Sequence, residues 1–371
     1  MKQRQVLVLS NLYPGKISAT FGIFVKNQVE ALRRKGLHVE VAAVKDPRIG
    51  KIKLLKKYFL WVLLVLGKFL LKGWRYEVVH AHYVFPSGYL GLWFKRFFRT
   101  RLVVTAHGGD IDKMAKLSGW IRKQTKKVLD EADSVIVVGE GLKRDVVEQF
   151  GVEEGKISVI NMGVNREVFT PIEKDEARRK VSVDKGVPLV LYVGNIIKQK
   201  GLDELISAFG QLKSSYPQAE LHLIGVPKNP QYQAGLEQKA AEREIGDIHF
   251  HGAKPQKEVA VWLCAADVLA LPSYIEGFGL VALEAMSCHT PVVGSNVGGL
   301  SYLLSENCGV PIQSANVSSL AQGLLDVLSD PQLQEELIRN GEQRAQMNDQ
   351  DRMIERIYDL YLSTKVRKYE G

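Results

Sequence analysis

Apolar residues are distributed along this chain on two length scales. Short apolar runs closed by glycine, proline or small polar residues read as buried strands, and longer stretches of helical period lie between them. In the first half the runs are Gln5–Leu9, His38–Val44, Val78–His82, the start of Leu102–Asp110, Ser134–Val138 and Ile157–Ile160. In the second half they are Val187–Val193, Leu221–Ile224, Ile248–His251, Val268–Leu271 and Pro291–Val293. Helices are expected near Phe24–Lys35, stopped by Gly36, and over Trp120–Glu131, Glu140–Phe150, the stretch from Leu202, and Leu280–Met286. Such strand–helix alternation predicts an α/β protein with a mainly parallel sheet in each half. Pro171 and the charged run to Lys185 mark a linker region, which divides the chain into domains 1–168 and 169–350. A last helix, about Asp351–Thr364, places Ile354, Ile357, Tyr358 and Tyr361 on one face.

One stretch breaks the pattern. Lys51–Lys72 is an apolar helix edged with lysines, and its uninterrupted apolar run, Tyr58 to Gly67, is far shorter than the roughly 18–20 residues needed to span a bilayer. At about 100° per residue, Phe59, Val62, Leu63, Leu66, Phe69 and Leu70 form one stripe, which core packing on a sheet would explain. Leu60, Trp61, Leu64 and Leu71 fall on the other side among Lys53, Lys56, Lys57, Lys68 and Lys72. Apolar residues there fit interfacial insertion with lysines at the headgroups, and Trp93–Arg99 would extend the patch. Lys56, Lys57, Leu60, Trp61, Leu64 and Lys68 are therefore expected to face an anionic membrane. A buried helix or a protein partner is the alternative.

Charge sharpens this contrast between the halves. The 371 residues carry a net +9, but residues 1–170 hold 30 Lys/Arg against 15 Asp/Glu, leaving 20 bases against 26 acids in the rest. The excess is densest from Lys45 to Arg101, where 13 bases face only Asp46 and Glu77. A half-molecule field of this kind suggests a polyanionic partner: nucleic acid, an anionic membrane or an acidic polymer. No recognised nucleic-acid motif accompanies the charge, so nucleic acid is not expected. Three cysteines, Cys264, Cys288 and Cys308, have no metal-ligand spacing, and their sparse, odd number argues for reduced thiols in a cytoplasmic protein. The chain runs into its first strand with no signal-peptide architecture ahead of it.

Candidate chemistry gathers at strand ends. After Val268–Leu271 comes a loop with Gly277-Phe278-Gly279, then a helix. Unpaired first-turn N–H groups and the helix dipole make that turn an anion site. Glu276 precedes the loop and Glu284 lies about one turn into the helix, eight residues on. A second glycine-bounded turn, Gly194 to Gly201, carries Lys198 and Lys200, mobile charges suited to a diphosphate. In the first half the dinucleotide fingerprint G-x-G-x-x-G is missing, and Gly22 stands instead at a helix entrance, where backbone can approach a phosphate. His107 ends a strand within His-Gly-Gly-Asp110, where ligands of open α/β sheets gather. His80 and His82 are equally explained by strand alternation. Each of these features also has a bland reading: an ordinary α/β turn for the glycines, a solvated helix-entry lysine for Lys200.

Taken together, the segment PSYIEGFGLVALEAM resembles the E-x7-E signature of the retaining glycosyltransferases of family 4. That resemblance implies the GT-B fold: two Rossmann-like domains with mainly parallel sheets facing a central cleft, and a C-terminal helix, about 351–371, returning to the first domain. By the same resemblance Glu276 and His107 act at the donor sugar. Gly22, Lys200, Gly277, Phe278, Gly279, Leu280 and Val281 hold the diphosphate and sugar, Glu284 the ribose, and Lys254, after Gly252-Ala253, marks the base. The family commonly has G-R-x-x-x-x-K-G at the second turn, and here Asn195 stands in the arginine's place, leaving Lys198 or the loop amides to carry that charge. The first loop, NLYPGKISATFG, looks like the branch that makes teichuronic acid and exopolysaccharide. The implied enzyme moves a sugar with retention from a nucleotide diphosphate, UDP favoured, to a glycan or polyprenyl-diphosphate-linked acceptor. It requires no metal, which fits the absence of any D-x-D, and it works at the inner face of the cell membrane. The rival reading is a basic membrane-surface or nucleic-acid-binding protein that keeps the fold without catalysis.

Overall fold

A computed structural model describes residues 4–18, 20–48 and 50–362. The chain divides into two compact units, Met1–Met162 with Asp351–Gly371, and Gly163–Gln350.

The first unit holds β1 (Gln5–Ser10), β2 (His38–Ala43), β3 (Val78–His82), β4 (Arg101–Ala106), β5 (Ser134–Val137) and β6 (Ile157–Val159). They form one sheet in the order β2-β1-β3-β4-β5-β6, parallel throughout. Its central strands read as continuous apolar runs because helices cover both faces, so no face is left for polar residues. One core cluster joins Val6, Val8, Val29 and Val103 to Met353, Ile354, Ile357 and Tyr361 of the terminal helix Gln350–Leu362. Arg4 donates to the Tyr361 carbonyl at 2.8 Å, fixing that helix beside the start of β1. The expected extension of the helix to Thr364 lies outside the described residues.

The second unit repeats the plan with β7 (Leu189–Val193), β8 (Glu220–Ile224), β9 (Ile248–Phe250), β10 (Val268–Leu271), β11 (Val292–Ser295) and β12 (Val310–Ile312). Their order is β12-β11-β10-β7-β8-β9, again all parallel. Strand β12 was not legible in the sequence, since Val310-Pro-Ile312 is short and carries a proline. It is an edge strand, where a missing N–H is tolerated.

Two expectations fail here for physical reasons. The charged run after Pro171 is a helix, Lys174–Val181, and not an open linker. Glu173 caps it by accepting the amides of Asp175 and Glu176, and Arg178 is buried from it. The Arg178 guanidinium reaches the carbonyls of Ala265 and Asp184 and the Asp267 carboxylate at 2.7 Å. The helix Lys51–Lys72 forms as expected but buries a different line of residues from the one its periodicity predicts. Trp61 is buried, its indole N–H held by the Ala42 carbonyl at 2.9 Å, and Val65 is buried one turn on. Phe59, Leu63 and Leu70, expected in the core, are exposed with Leu60, Leu64 and Leu71. The indole packs beside β2 and satisfies one of its carbonyls, and this contact goes with the observed rotation. Lys68 and Lys72 join Glu40, and with Tyr76 they outweigh the upward push of its partial burial and hold its pKa down at about 2.

Asp267→Ala leaves the buried Arg178 charge uncompensated and the Leu189 amide without its acceptor at 2.7 Å. It is expected to cost about 3 kcal/mol in urea unfolding of the second unit. A loss below about 1 kcal/mol would show that this ion pair does not hold the helix.

Candidate functional site

Each parallel strand delivers its carboxyl end to the same edge of its sheet, so the loops that follow neighbouring strands meet. In the second unit β7 and β10 are neighbours, and their turns carry Lys200 and Glu276. The Lys200 ammonium lies 2.5 Å from the Glu276 carboxylate, which also accepts the Ser273 hydroxyl at 3.2 Å. Both side chains are about four-fifths buried. The approach of the two turns depends on Gly201. Its φ is +68° and a Cβ there would stand 2.0 Å from the Pro272 carbonyl oxygen, so no other residue fits without moving β10's exit.

The glycine loop is held from its other side by residues the sequence reading did not use. A Cβ on Gly298 would fall 1.9 Å from the Glu276 carbonyl oxygen, and one on Gly299 would meet Phe278 at 2.4 Å. The pair Gly298-Gly299 after β11 was the available signal: a third strand-to-helix glycine turn, at the strand next to β10. Gly279, at φ +90°, enters the helix Leu280–Ser287. The amides of Gly279, Leu280 and Val281 find no acceptor among the described residues. Phe278 is buried beneath the loop and Gly277 is exposed at its crest. The turn is thus a set of free N–H donors with one ammonium beside it.

Glu284 takes a different position from a side chain reaching outward. It is 7% exposed, and burial raises its pKa to about 8 against a hydrogen bond with Gln256 that favours the charged form. At neutral pH it carries a proton and can donate as well as accept. Asn195 is exposed, and its backbone carbonyl accepts the Tyr192 hydroxyl at 2.8 Å. Lys198 is exposed, and Lys254 pairs with Glu258 at 3.3 Å.

In the first unit, Gly22 at φ +72° begins the helix Ile23–Arg34. His107 follows β4, and its loop is tied by Asp110, whose carboxylate accepts the amides of His107 (3.1 Å) and Val84 (2.8 Å). Burial pushes Asp110 up to about 6, and those amide bonds restrain the rise. Burial pushes His107 down to about 3, so its imidazole is neutral. His107 Nε2 shares a hydrogen bond with His82 Nδ1 at 3.1 Å, and the two rings stack. Gln28 touches His82 and His80, and His80 bonds Tyr361 and Thr105. His82 therefore holds the plane of His107, and His80, stacked on His82, packs behind it. The residues of the two groups lie in different units, and each group is complete within its own.

Comparison with known proteins decides the family. A family described as "Glycosyl transferases group 1" matches residues 173–344, and one described as "Glycosyltransferase Family 4" matches 22–168. A D-inositol 3-phosphate glycosyltransferase of Kribbella flavida is 30% identical over 286 residues, 73% of this chain and 67% of that one. Its counterpart in Pseudarthrobacter chlorophenolicus is 30% identical over 287 residues, with the same coverage. The chain is a GT-B glycosyltransferase of the group 1 and family 4 type. Sucrose-phosphate synthase from Thermosynechococcus elongatus superposes with a TM-score of 0.82 at 26% identity, covering 97% of this chain and 98% of that one. Anabaena HepE, solved with UDP, shares the fold at a TM-score of 0.81 and 20% identity, covering 98% and 100%.

The buried Glu284 gives the glycosyltransferase a measurable pH signature. Its folded pKa lies above the ordinary value of 4.5, so the folded chain binds the proton more tightly than the unfolded one. That contribution is full below 4.5 and is lost as pH rises towards about 8. Glu284→Gln removes the titration, so its stability advantage over wild type should grow across this window, by up to roughly 4 kcal/mol. Parallel stability curves for the two proteins from pH 5 to 9 would place the Glu284 titration elsewhere.

Proposed function

We propose that this glycosyltransferase transfers a sugar, with retention, from a UDP-sugar to a glycan or lipid-linked acceptor at an anionic membrane surface. The observation that carries the donor reading is the Lys200–Glu276 ion pair beside three unpaired loop amides. A diphosphate binding at those amides draws the Lys200 ammonium from Glu276 and takes its charge. Glu276, released, accepts hydroxyls of the donor sugar. Glu284, a protonated carboxyl at neutral pH, offers the ribose a donor as well as an acceptor. Neutral His107, oriented by His82, donates to or accepts from a sugar hydroxyl. The structural neighbour solved with UDP supports the choice of base. Charge on the leaving group is met by ammonium and amides, so no divalent ion is required. The resemblance of the E-x7-E segment to retaining enzymes supports the stereochemistry.

The membrane part rests on the helix Lys51–Lys72. Among the described residues no helix is long and apolar enough to cross a membrane. Yet this one exposes Ile52, Leu55, Phe59, Leu60, Leu64 and Leu71, and Trp74 and Phe97 stand exposed near its end. Contiguous apolar surface on this scale marks an interaction site. Lys51, Lys53 and Lys56 are exposed around its first turns and, among the described residues, enter no ion pair. Lys57 and Lys68 are occupied internally, by the carbonyls of Asp46 and Arg48 and by Glu40, and Trp61 is buried, so these three leave the membrane face. The face is then built from Lys56, Leu60, Leu64 and their exposed neighbours. Such a surface inserts shallowly, with lysines at anionic headgroups, each worth about 1 kcal/mol. A lipid-linked acceptor would meet the enzyme there, on the cytoplasmic leaflet in a cell-envelope or exopolysaccharide pathway.

Three sets of measurements check the proposal. Lys200→Ala is expected to weaken UDP binding by calorimetry at least tenfold, while Glu276→Ala chiefly lowers kcat. Proton NMR of the product should show the donor's α-linkage kept, at a rate unchanged by added Mg²⁺ or Mn²⁺. A β-linkage would refute retention. In vesicle flotation the enzyme should bind only anionic lipid, less so at high salt, and Leu60→Glu/Leu64→Glu should abolish binding. Equal binding to neutral vesicles, or none to either, would remove the membrane part and leave the donor site standing.

A further inference from the structure

Strands β8 and β9 carry a second cluster that the transfer reaction does not use. On β8, Glu220 and His222 are two residues apart, and on β9 and its exit His249 and His251 are too, so all four side chains project from one face of the sheet. The register sets His222 opposite His249, with ring centroids 4.6 Å apart. Glu220, His222 and His249 each offer one ligand atom, and these atoms lie within 4.8 Å of one another. His222 is buried, Glu220 is half-buried and His249 is exposed, so the cluster has a rigid floor and an open mouth.

The hydrogen bonds around His222 already have the form of a ligand and its support. Its Nε2 meets the Glu220 carboxylate at 2.8 Å, and its Nδ1 meets His251 Nε2 at 2.8 Å. Trp262, from the helix Gln256–Ala265, lies against both rings, at 4.8 and 4.6 Å. The imidazole is thus locked in plane, with one nitrogen given to a neutral partner and the other aimed at a carboxylate.

We propose that Glu220, His222 and His249 bind a transition-metal ion of the Zn²⁺ class, with water in the fourth position. The ion takes the place of the proton between His222 Nε2 and Glu220. His222 keeps its single proton, which shifts from Nε2 to Nδ1 and donates to His251 Nε2, so no net proton is lost and His251 acts as a positioning residue. Two imidazoles and a carboxylate suit Zn²⁺ and exclude Mg²⁺ and Ca²⁺, which take oxygen ligands. Ligand atoms of a tetrahedral zinc site are separated by roughly 3.4 Å at bond lengths near 2.1 Å, so His222 Nε2 and the Glu220 carboxylate, 2.8 Å apart, open slightly to admit the ion while His249 closes in from within 4.8 Å. The exposed His249 rotates to do this without backbone movement.

The site's place in the fold says what the ion does. Glu220 opens β8 and His222 and His249 stand mid-strand, whereas the donor turns follow the carboxyl ends of β7 and β10, so the metal lies on the β8–β9 pair, apart from Lys200 and Glu276. It joins β9, a three-residue edge strand, to its only sheet neighbour, β8. β9 leads directly into Gly252-Ala253-Lys254, so the ion anchors the segment that carries Lys254.

The test is a titration of the full, metal-stripped chain with Zn²⁺ against a chromophoric chelator. Binding should be one ion per chain at micromolar Kd or tighter, lost in His249→Ala and Glu220→Gln, and unchanged in His38→Ala. His251→Ala, which removes only the support, should weaken it by about 10- to 100-fold. Co²⁺ in place of Zn²⁺ should give d–d absorption without a sulfur-to-cobalt band, since Cys264, Cys288 and Cys308 lie outside the site. Because His249 is exposed, thermal melts of its variant without metal should match wild type, and Zn²⁺ should raise only the wild-type Tm. Absence of stoichiometric binding overturns the proposal. So does binding that survives both His249→Ala and Glu220→Gln, or a thiolate band with Co²⁺.

Discussion

Parallel strands can be joined only by crossovers, and a right-handed crossover brings every strand's carboxyl end to one edge of the sheet. The two units of this protein follow from that constraint applied twice. It buries the central strands on both faces, and it sends six loops from each sheet to a common edge. There the second unit needs backbone to touch backbone. Gly201 against Pro272 and Gly298 against Glu276 are contacts that a single methyl group would break. The outcome is a turn whose amides have no acceptor among the described residues, with the Lys200–Glu276 ion pair beside it.

Burial then assigns the chemistry. In the first unit it keeps His107 neutral and leaves orientation to the ring stack with His82. In the second it pushes the pKa of Glu284 up to about 8, while Glu276 lies in the loop paired with the Lys200 ammonium. Two glutamates of one short motif thus sit in different surroundings, one buried beside Gln256 and the other paired with an ammonium. The same reasoning separates the lysines of the Lys51–Lys72 helix. Those beside Glu40 are consumed by the fold, and those at the first turns remain for a partner.

Most of the strands, and the glycine turns with their lysine and glutamates, were legible because apolar runs and glycines are local signals. Three features were not. The rotation of the Lys51–Lys72 helix goes with one indole meeting the Ala42 carbonyl, a contact that periodicity does not encode. The helix Lys174–Val181 is polar except for Ala177 and Val181 and depends on Asp267, about ninety residues away, to neutralise Arg178. The E-x-H and H-x-H pairs of β8 and β9 look like ordinary strand alternation until the register sets His222 opposite His249.

The account's central claim is that Lys200 exchanges Glu276 for the donor diphosphate. A double-mutant cycle on UDP affinity, with Lys200→Met and Glu276→Gln, tests it most directly. Glu276 competes with the diphosphate for the ammonium and UDP carries no sugar. Glu276→Gln alone should therefore bind UDP at least as tightly as wild type, Lys200→Met alone should bind it at least tenfold more weakly, and Glu276→Gln should give no gain once Lys200 is absent. Equal weakening by both single substitutions, with additive effects in the double, would contradict the exchange.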